Sequence, residues 1–525
     1  MATVHRADEC FFTGAADRGL RPRGLRPREL PGVATVEPAP PQHLVDVYYD
    51  TADLRLLRQC GTLRCRTSGD EAGWRLVVPD QDGDPREITL PLDPGAPGAV
   101  PARLAALVRA RTRGRELVAV ARLRTVRSRA LLLDRRGRTL AELLGYRVSA
   151  RALPKGRPAG GRRSWARTGL TLVDGGAELS AAVERALRGQ GLRPVADGTE
   201  RAEGVEGVER AERAELARLL SDGDGGSGDG GSGGGKSAGG GATAAALAAY
   251  LRRHTERLVA LDLAVRLDEP DAVHQMRISQ RRLRSALTAH RGLLRGRRTD
   301  RLSEELRWLG GLLGRARDAE VTGARLAAQA AELPLPAGDG ELRALLERWF
   351  AHRYRRAHAE VLAVLDGPRY RRLLESLERF ADRPPLREHA ATGRSAARRT
   401  LRRECRRTGR RLRAAFAQPP GEQRDEVVHQ ARKAAKRARY AAECLYPALG
   451  AGGRRMAGEL KAIQQPLGSY QDAVVTEQAI LLVAAEARRL GQDTFGYGVL
   501  YGAQRDHTEA DLAAARRAWA RAEHC

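Results

Sequence analysis

The sequence predicts a multidomain protein. A mainly antiparallel β-barrel or tunnel (α+β) comes first, then a Gly/Ser linker, then an all-α, internally duplicated helical bundle. Three observations predict this. The first 200 residues break short apolar runs with Gly, Pro and Asp, the punctuation of strands and turns. Residues 221–243 hold almost nothing that can pack. From Ala244 onward the apolar residues recur at helical spacing, and one long motif occurs twice.

At 525 residues the chain is too long for one ordinary core. Its formal charge is +27, unevenly spread: +10 over residues 1–220, and +19 over residues 244–525 from 53 basic and 34 acidic side chains. Such a surface calls for a polyanion or an anionic membrane as partner. A composition rich in Arg, Ala and Gly accounts for part of the gross charge, not for where the charges sit. The six cysteines lie far apart, with no CxxC and no zinc spacing. The start, MATVHRADECFF, lacks a signal-peptide pattern, and the longest apolar run, near Ile480–Ala485, is too short to span a bilayer. A reducing, cytoplasmic setting is expected.

In the first 200 residues the strand candidates are Asp46–Tyr49, Thr62–Arg66, Trp74–Val78, Arg86–Leu90, Ala119–Thr125, Ala130–Asp134, Thr139–Glu142 and Leu170–Val173. Arg135-Arg136-Gly137-Arg138 reads as a hairpin turn, and Pro101–Ala110 and Glu178–Gln190 as helices. Period-two spacing puts Arg64 and Arg66 on one strand face, and Arg122 and Arg124 likewise. A solvent-facing polar face would show the same alternation.

Several pieces, in order, resemble the CYTH domain of the triphosphate tunnel metalloenzymes: YYDT at 48–51, GTLRCR at 61–66, GWRLVVP at 73–79, REITLPL at 86–92, ARLRT at 121–125 and LLD…GRTLAE at 132–142. The resemblance implies an antiparallel barrel with a charged bore, in which Arg64, Arg66, Arg122 and Arg124 would hold an anion. The departures concern the metal. The family opens with alternating glutamates, but here Asp8 and Glu9 are adjacent and point to opposite faces. The late strand, Trp165 to Thr171, carries no acid, and the lysine of the family's LKxP strand is Val77. Glu87 and Glu142 are isolated. Phosphoryl chemistry of this kind needs a metal to neutralise phosphate charge. A degenerate, inactive tunnel is expected, with no catalytic residue, metal site or cofactor.

Residues 201–220 end in VERAERAELARLL and suit a short helix with acid–base pairs at helical spacing. Ser221–Ala242 reads as a flexible coil spanning roughly 25 Å r.m.s.. Its Gly-Lys-Ser at 235–237 follows no strand and is no phosphate loop.

The remainder divides into repeats of about 244–380 and 389–525, with Pro384-Pro385 at the seam. VHQMRISQRRLRSAL at 273–287 forms an amphipathic helix with His274, Arg277, Arg281 and Arg284 on one side and Met276, Leu283 and Leu287 on the other. VHQARKAAKRARYAA at 428–442 repeats it, placing His429, Arg432, Lys436, Arg437 and Arg439 on His274, Arg277, Arg281, Arg282 and Arg284. A second block also recurs: Leu313, Gly314 and Asp318 match Leu467, Gly468 and Asp472. Lys is scarce in this chain, yet Lys433 and Lys436 both fall in the second motif.

These paired blocks resemble the CHAD family, a duplicated helical domain rich in histidines and basic residues that binds inorganic polyphosphate. The resemblance covers about half the chain and implies a polyphosphate site made of the two motifs. His274 and His429 are expected to face one groove. Between Arg394 and Arg413, Arg394, Arg398, Arg402, Arg406 and Arg410 form an i, i+4 ladder, with Arg399, Arg403, Arg407 and Arg411 beside it. Like charges at that spacing destabilise a helix unless something neutralises them, so the ladder would extend the track. Arg suits phosphate because its planar fork donates two hydrogen bonds at once.

The expected function is polyphosphate binding in the cytoplasm, at polyphosphate granules. A nucleic-acid binder is the alternative, opposed by an aromatic content of 4% and the few aromatics (Trp308, Tyr354, Tyr440) near the basic faces. An active triphosphatase is a further alternative, opposed by the missing glutamates.

Overall fold

The structure is a computed structural model. It describes residues 9–15, 19–69, 71–93, 98–153, 161–194, 205–221, 241–334, 340–387 and 392–522. Backbone contacts divide the chain into two compact units, Met1–Gly231 and Ser232–Cys525. Asp8, His389 and most of the linker (222–240) lie outside the described residues.

The first unit is built on one sheet. Its strands are β1 (Glu9–Ala15), β2 (Thr35–Pro38), β3 (Gln42–Asp50), β4 (Thr62–Arg66), β5 (Gly73–Pro79), β6 (Pro85–Leu90), β7 (Val118–Leu133), β8 (Thr139–Ala152), β9 (Arg162–Leu172) and β10 (Arg193–Pro194). They follow the order β10-β1-β9-β8-β7-β3-β4-β5-β6, with β2 on β7. Every ladder is antiparallel. Ala119–Thr125 and Ala130–Asp134, read from the sequence as two strands, fall in the single 16-residue β7, with Asp134 just past its end. The sheet curls around a cavity, and among the described residues no ladder joins its two ends.

Local sequence explains the joints. In YYDT, the carboxylate of Asp50 accepts from the backbone N–H groups of Thr51, Leu56 and Leu57 at 2.6–2.9 Å. This motif therefore caps the chain into α1 (Arg55–Arg58). At the β7–β8 hairpin, Asp134 accepts from the N–H groups of Arg136 and Arg138, and Gly137 takes φ +76°. Two short helices follow β6, α2 (Ala102–Leu107) and α3 (Arg109–Thr112). The helix α4 (Ala177–Gly189) buries Leu179, Ala182, Val183 and Leu187 on a core that includes Phe12, Leu132 and Leu143. The helix α5 (Val205–Ser221) is more than a solvated connector. It buries Leu216, Leu219 and Leu220 with Tyr48 and Trp165, and its Glu212 and Arg213 line the cavity.

In the second unit all the described helices are long: α6 (Ala242–Arg266), α7 (Ala272–Ala289), α8 (Gly296–Glu332), α9 (Gly340–Asp366), α10 (Pro368–Asp382), α11 (Arg394–Phe416), α12 (Glu422–Leu449), α13 (Ala451–Arg489) and α14 (Phe495–Arg521). Successive helices pack from α6 to α9 and again from α11 to α14. Across the halves, α12 meets α6 and α7, and α13 meets α8 and α9. The helix α10 packs on α6, α8 and α9 and has no counterpart after α14 among the described residues. Met276, Leu283 and Leu287 are fully buried, as the amphipathic reading of α7 requires. Among the described residues no helix is long and apolar enough to cross a membrane.

Candidate anion-binding sites

The two motif copies occupy α7 and α12, which pack on each other. Arg277 of α7 donates to Asp318 of α8 at 2.9 Å. Arg432 of α12 makes the same contact to Asp472 of α13, at 3.4 Å. A Cβ at Gly314 would stand 3.5 Å from the Arg277 guanidinium, and one at Gly468 would stand 3.7 Å from that of Arg432. The recurring Gly and Asp thus have one local meaning. Glycine leaves room for the guanidinium to cross the neighbouring helix, and the aspartate one turn on receives it.

Arg277, Arg281, Arg432 and Lys436 gather where the two halves meet. Burial, then Arg432, Arg281 and Arg277, push the Lys436 ammonium down to about 6. Arg432 is itself lowered, first by burial, with Arg281 and Arg277 adding to it. Tyr440, 2% exposed, organises the next turn. Its hydroxyl accepts from Arg281 Nε at 3.1 Å, and the guanidiniums of Arg281, Arg282 and Arg439 lie 5.5–5.7 Å from its ring centre.

The histidines border this cluster. His274 is half-buried, and its Nδ1 has no hydrogen-bond partner. Burial, Arg317, Arg281 and Arg277 push it down to about 4, with Asp271 opposing. Burial and Lys433 lower His429, whose Nδ1 lies 2.5 Å from Gln471. Each His thus draws its polar neighbours from its own half, and the cations one turn further along make the junction between halves.

Three of the other motif cations are committed to protein partners. Arg282 pairs with Glu443 at 3.2 Å, and Arg437 with the buried Glu404 of α11 at 2.5 Å. Arg439 donates to Glu443 and to Gln464 of α13. Arg284 is lowered by burial and by Arg307 of α8. Lys433 is exposed, as are Arg394, Arg398 and Arg402 with the rest of both α11 ladders. The opposite face of α11 buries Ala397, Leu401, Cys405 and Leu412.

In the first unit a cavity of about 870 Å³ is lined by eight strands and α5. Arg64 and Arg66 face it, as the period-two reading expects. Arg122 and Arg124 do not: both are exposed on the outer face, while Thr125 and Arg127 of the same strand line the cavity. The physical reason is parity. The strand carries arginines at 122 and 124 and again at 127 and 129, on alternate faces, and only its pairing decides which face looks inward; of the second pair Arg127 reaches the lining and Arg129 does not. Arg75 and Arg167, also in the lining, went unread for the same reason.

Four of the lining arginines meet carboxylates. Arg66 holds the buried Asp46 with two hydrogen bonds, 2.9 and 3.2 Å, and reaches Glu71 at 2.5 Å. Arg64 pairs with Asp46, Arg127 with Glu71, and Arg75 with Glu87. Tyr48 donates to Glu212 at 2.6 Å. Glu142 pairs instead with Arg129, outside the lining. The inward positions of the late strand are Trp165, Arg167, Gly169 and Thr171, none of them acidic, and Val77 also faces the cavity. Among the described residues no three His, Cys, Asp or Glu side chains could together hold a metal ion.

Comparison with known proteins places both units. Residues 29–143 match the CYTH domain and residues 249–481 the CHAD domain. An uncharacterized protein of Mycobacterium tuberculosis is 33% identical over 494 residues, covering 92% of this chain and 89% of the relative. Among solved structures, PptA from Streptomyces chartreusis is 24% identical and covers 52% of this chain and 98% of its own (TM-score 0.45). The CHAD domain from the plant Ricinus communis is 26% identical and covers 53% of this chain and 92% of its own (TM-score 0.42). The chain belongs to the family of proteins in which a CYTH domain is followed by a CHAD domain.

Proposed function

We propose that this protein binds inorganic polyphosphate where α7 meets α12, and that its CYTH domain is not a working triphosphatase. One observation carries the first part. Arg277, Arg281, Arg432 and Lys436 are held together, half-buried, strongly enough to drive Lys436 down to about 6. Asp318 and Asp472 answer only two of the four. Such a cluster opposes folding, and a chain of phosphates would relieve it along its whole length. The exposed α11 ladders offer a continuation, and the presence of a CHAD domain fits phosphate-related binding.

The repeated Arg–Gly–Asp geometry supports reading 244–380 and 389–525 as duplicated halves, joined to the first domain through residues 221–243. For the CYTH domain, each of the Arg64, Arg66, Arg75 and Arg127 guanidiniums meets a carboxylate, and the late strand offers none to a metal. We place the protein in the cytoplasm, at polyphosphate granules. The test is competition at one fixed salt concentration, with labelled long-chain polyphosphate against DNA, RNA and ATP. Displacement by polyphosphate alone supports the reading, and equal displacement by DNA or RNA makes the protein a nucleic-acid binder instead.

A further inference from the structure

A separate cavity of about 340 Å³ lies among α6, α7, α12 and α13, lined by Arg253, His254, Arg257, Arg282, Glu443 and Arg454 among others. His254 is only 2% exposed, and neither of its ring nitrogens has a hydrogen-bond partner. The buried Arg282 Nε and the hydroxyl of Tyr250 are likewise unpartnered. Tyr250 packs edge-on against His254, with ring centres 4.3 Å apart. Buried polar atoms are normally satisfied, and each one left bare costs about 1–3 kcal/mol.

Donors outnumber acceptors here. Four guanidiniums line the cavity against one carboxylate, Glu443, which already accepts from Arg282 at 3.2 Å and from Arg439 at 2.8 Å. The missing partner is therefore a compact group with several acceptor oxygens and a negative charge.

We propose that this cavity binds a single phosphate group, free orthophosphate or the end of a polyphosphate chain, with the His254 imidazole donating to it. This deepens the polyphosphate reading by adding an end site to the chain-binding junction. The groups that face His254 fix its charge. From α6 come Tyr250, Arg253 and Arg257, from α7 Arg282, from α12 Glu443, and from α13 Arg454. Burial, Arg282, Arg253 and Arg257 push the imidazole down to about 3, so the empty site holds it neutral. A phosphate dianion between these cations favours the imidazolium.

The test uses the full chain and ¹⁵N spectra of the histidine rings. His254 is assigned by the signal lost in His254→Gln. Orthophosphate and tripolyphosphate are titrated at pH 6.5, with long-chain polyphosphate measured in parallel. Tripolyphosphate should move the His254 signal to its protonated form. A matching response to orthophosphate identifies a free-phosphate site, and none identifies a chain-end site. His254→Gln, and separately the exposed Arg454→Ala, should weaken tripolyphosphate by about ten-fold and leave long-chain affinity unchanged. A His254 signal that neither ligand moves overturns the proposal. Failure of the wild-type chain to bind long-chain polyphosphate overturns the proposed function instead, and the orthophosphate arm then judges this cavity alone.

Discussion

Lys436 is the residue whose chemistry most constrains the protein. It titrates at about 6 instead of its ordinary 10.5, so at pH 7 the free protein holds most of it neutral. A bound polyanion favours the ammonium and lifts the value again. Between those two values the complex carries one more proton than the free protein. Affinity should therefore fall as pH rises through that window, and the gain is complete below about 6. His274 has the same sign, but its window opens lower, from about 4. Calorimetry at pH 7 in two buffers of different ionisation heat should report uptake of about one proton per site. Lys436→Met should abolish most of that uptake. Heats that do not depend on the buffer would exclude Lys436 from the site.

At the scale of elements, the Gly–Asp blocks of α8 and α13 place the cations of α7 and α12. Glycine in a helix interior costs about 1 kcal/mol against alanine, so Gly314 and Gly468 need a reason. The guanidiniums of Arg277 and Arg432 pass over them, which calls for a small residue there without requiring glycine itself. At 3.5 and 3.7 Å an added methyl makes ordinary contact. Gly314→Ala and Gly468→Ala should thus raise stability by about 0.5–1 kcal/mol each in urea melts and leave polyphosphate affinity unchanged. Gly314→Leu should displace Arg277 and weaken binding several-fold. Equal affinity for all three variants would mean that Arg277 does not need its seat.

For the whole molecule the question is whether charge or place matters. Arg281→Ala with Lys436→Ala should weaken polyphosphate binding by roughly ten-fold to a hundred-fold. The control removes two exposed charges elsewhere, Arg135→Ala with Arg136→Ala in the β7–β8 turn, and should change little. Equal losses would reduce the protein to a diffuse polycation. Binding by either form should weaken with salt, as expected for counterion release. The first domain gives the complementary expectation. The full chain, with Mg²⁺ or Mn²⁺, should release no phosphate from tripolyphosphate or ATP. Metal-dependent turnover that disappears on Glu87→Gln would instead assign a working site to its cavity.

Much of this was legible in the residues. Strand and helix periods, the Asp134–Gly137 turn and the paired VHQ and LG…D blocks follow from local chemistry, because periodicity and turn residues act over a few positions. The strands from Thr62 to Leu90 and the stripe of α7 lie where their sequence puts them. What local patterns leave open is which groups from distant segments meet. The parity of β7 is set by its partners, so Arg127 faces the cavity and Arg122 and Arg124 do not. A lone His254 carries no signal until α6, α7, α12 and α13 bury it among arginines. The sequence by itself determined the folds of the two domains and the kind of charge they display. Only the tertiary structure decided which cations stand together, because burial and like-charge repulsion act between side chains that are far apart in the chain.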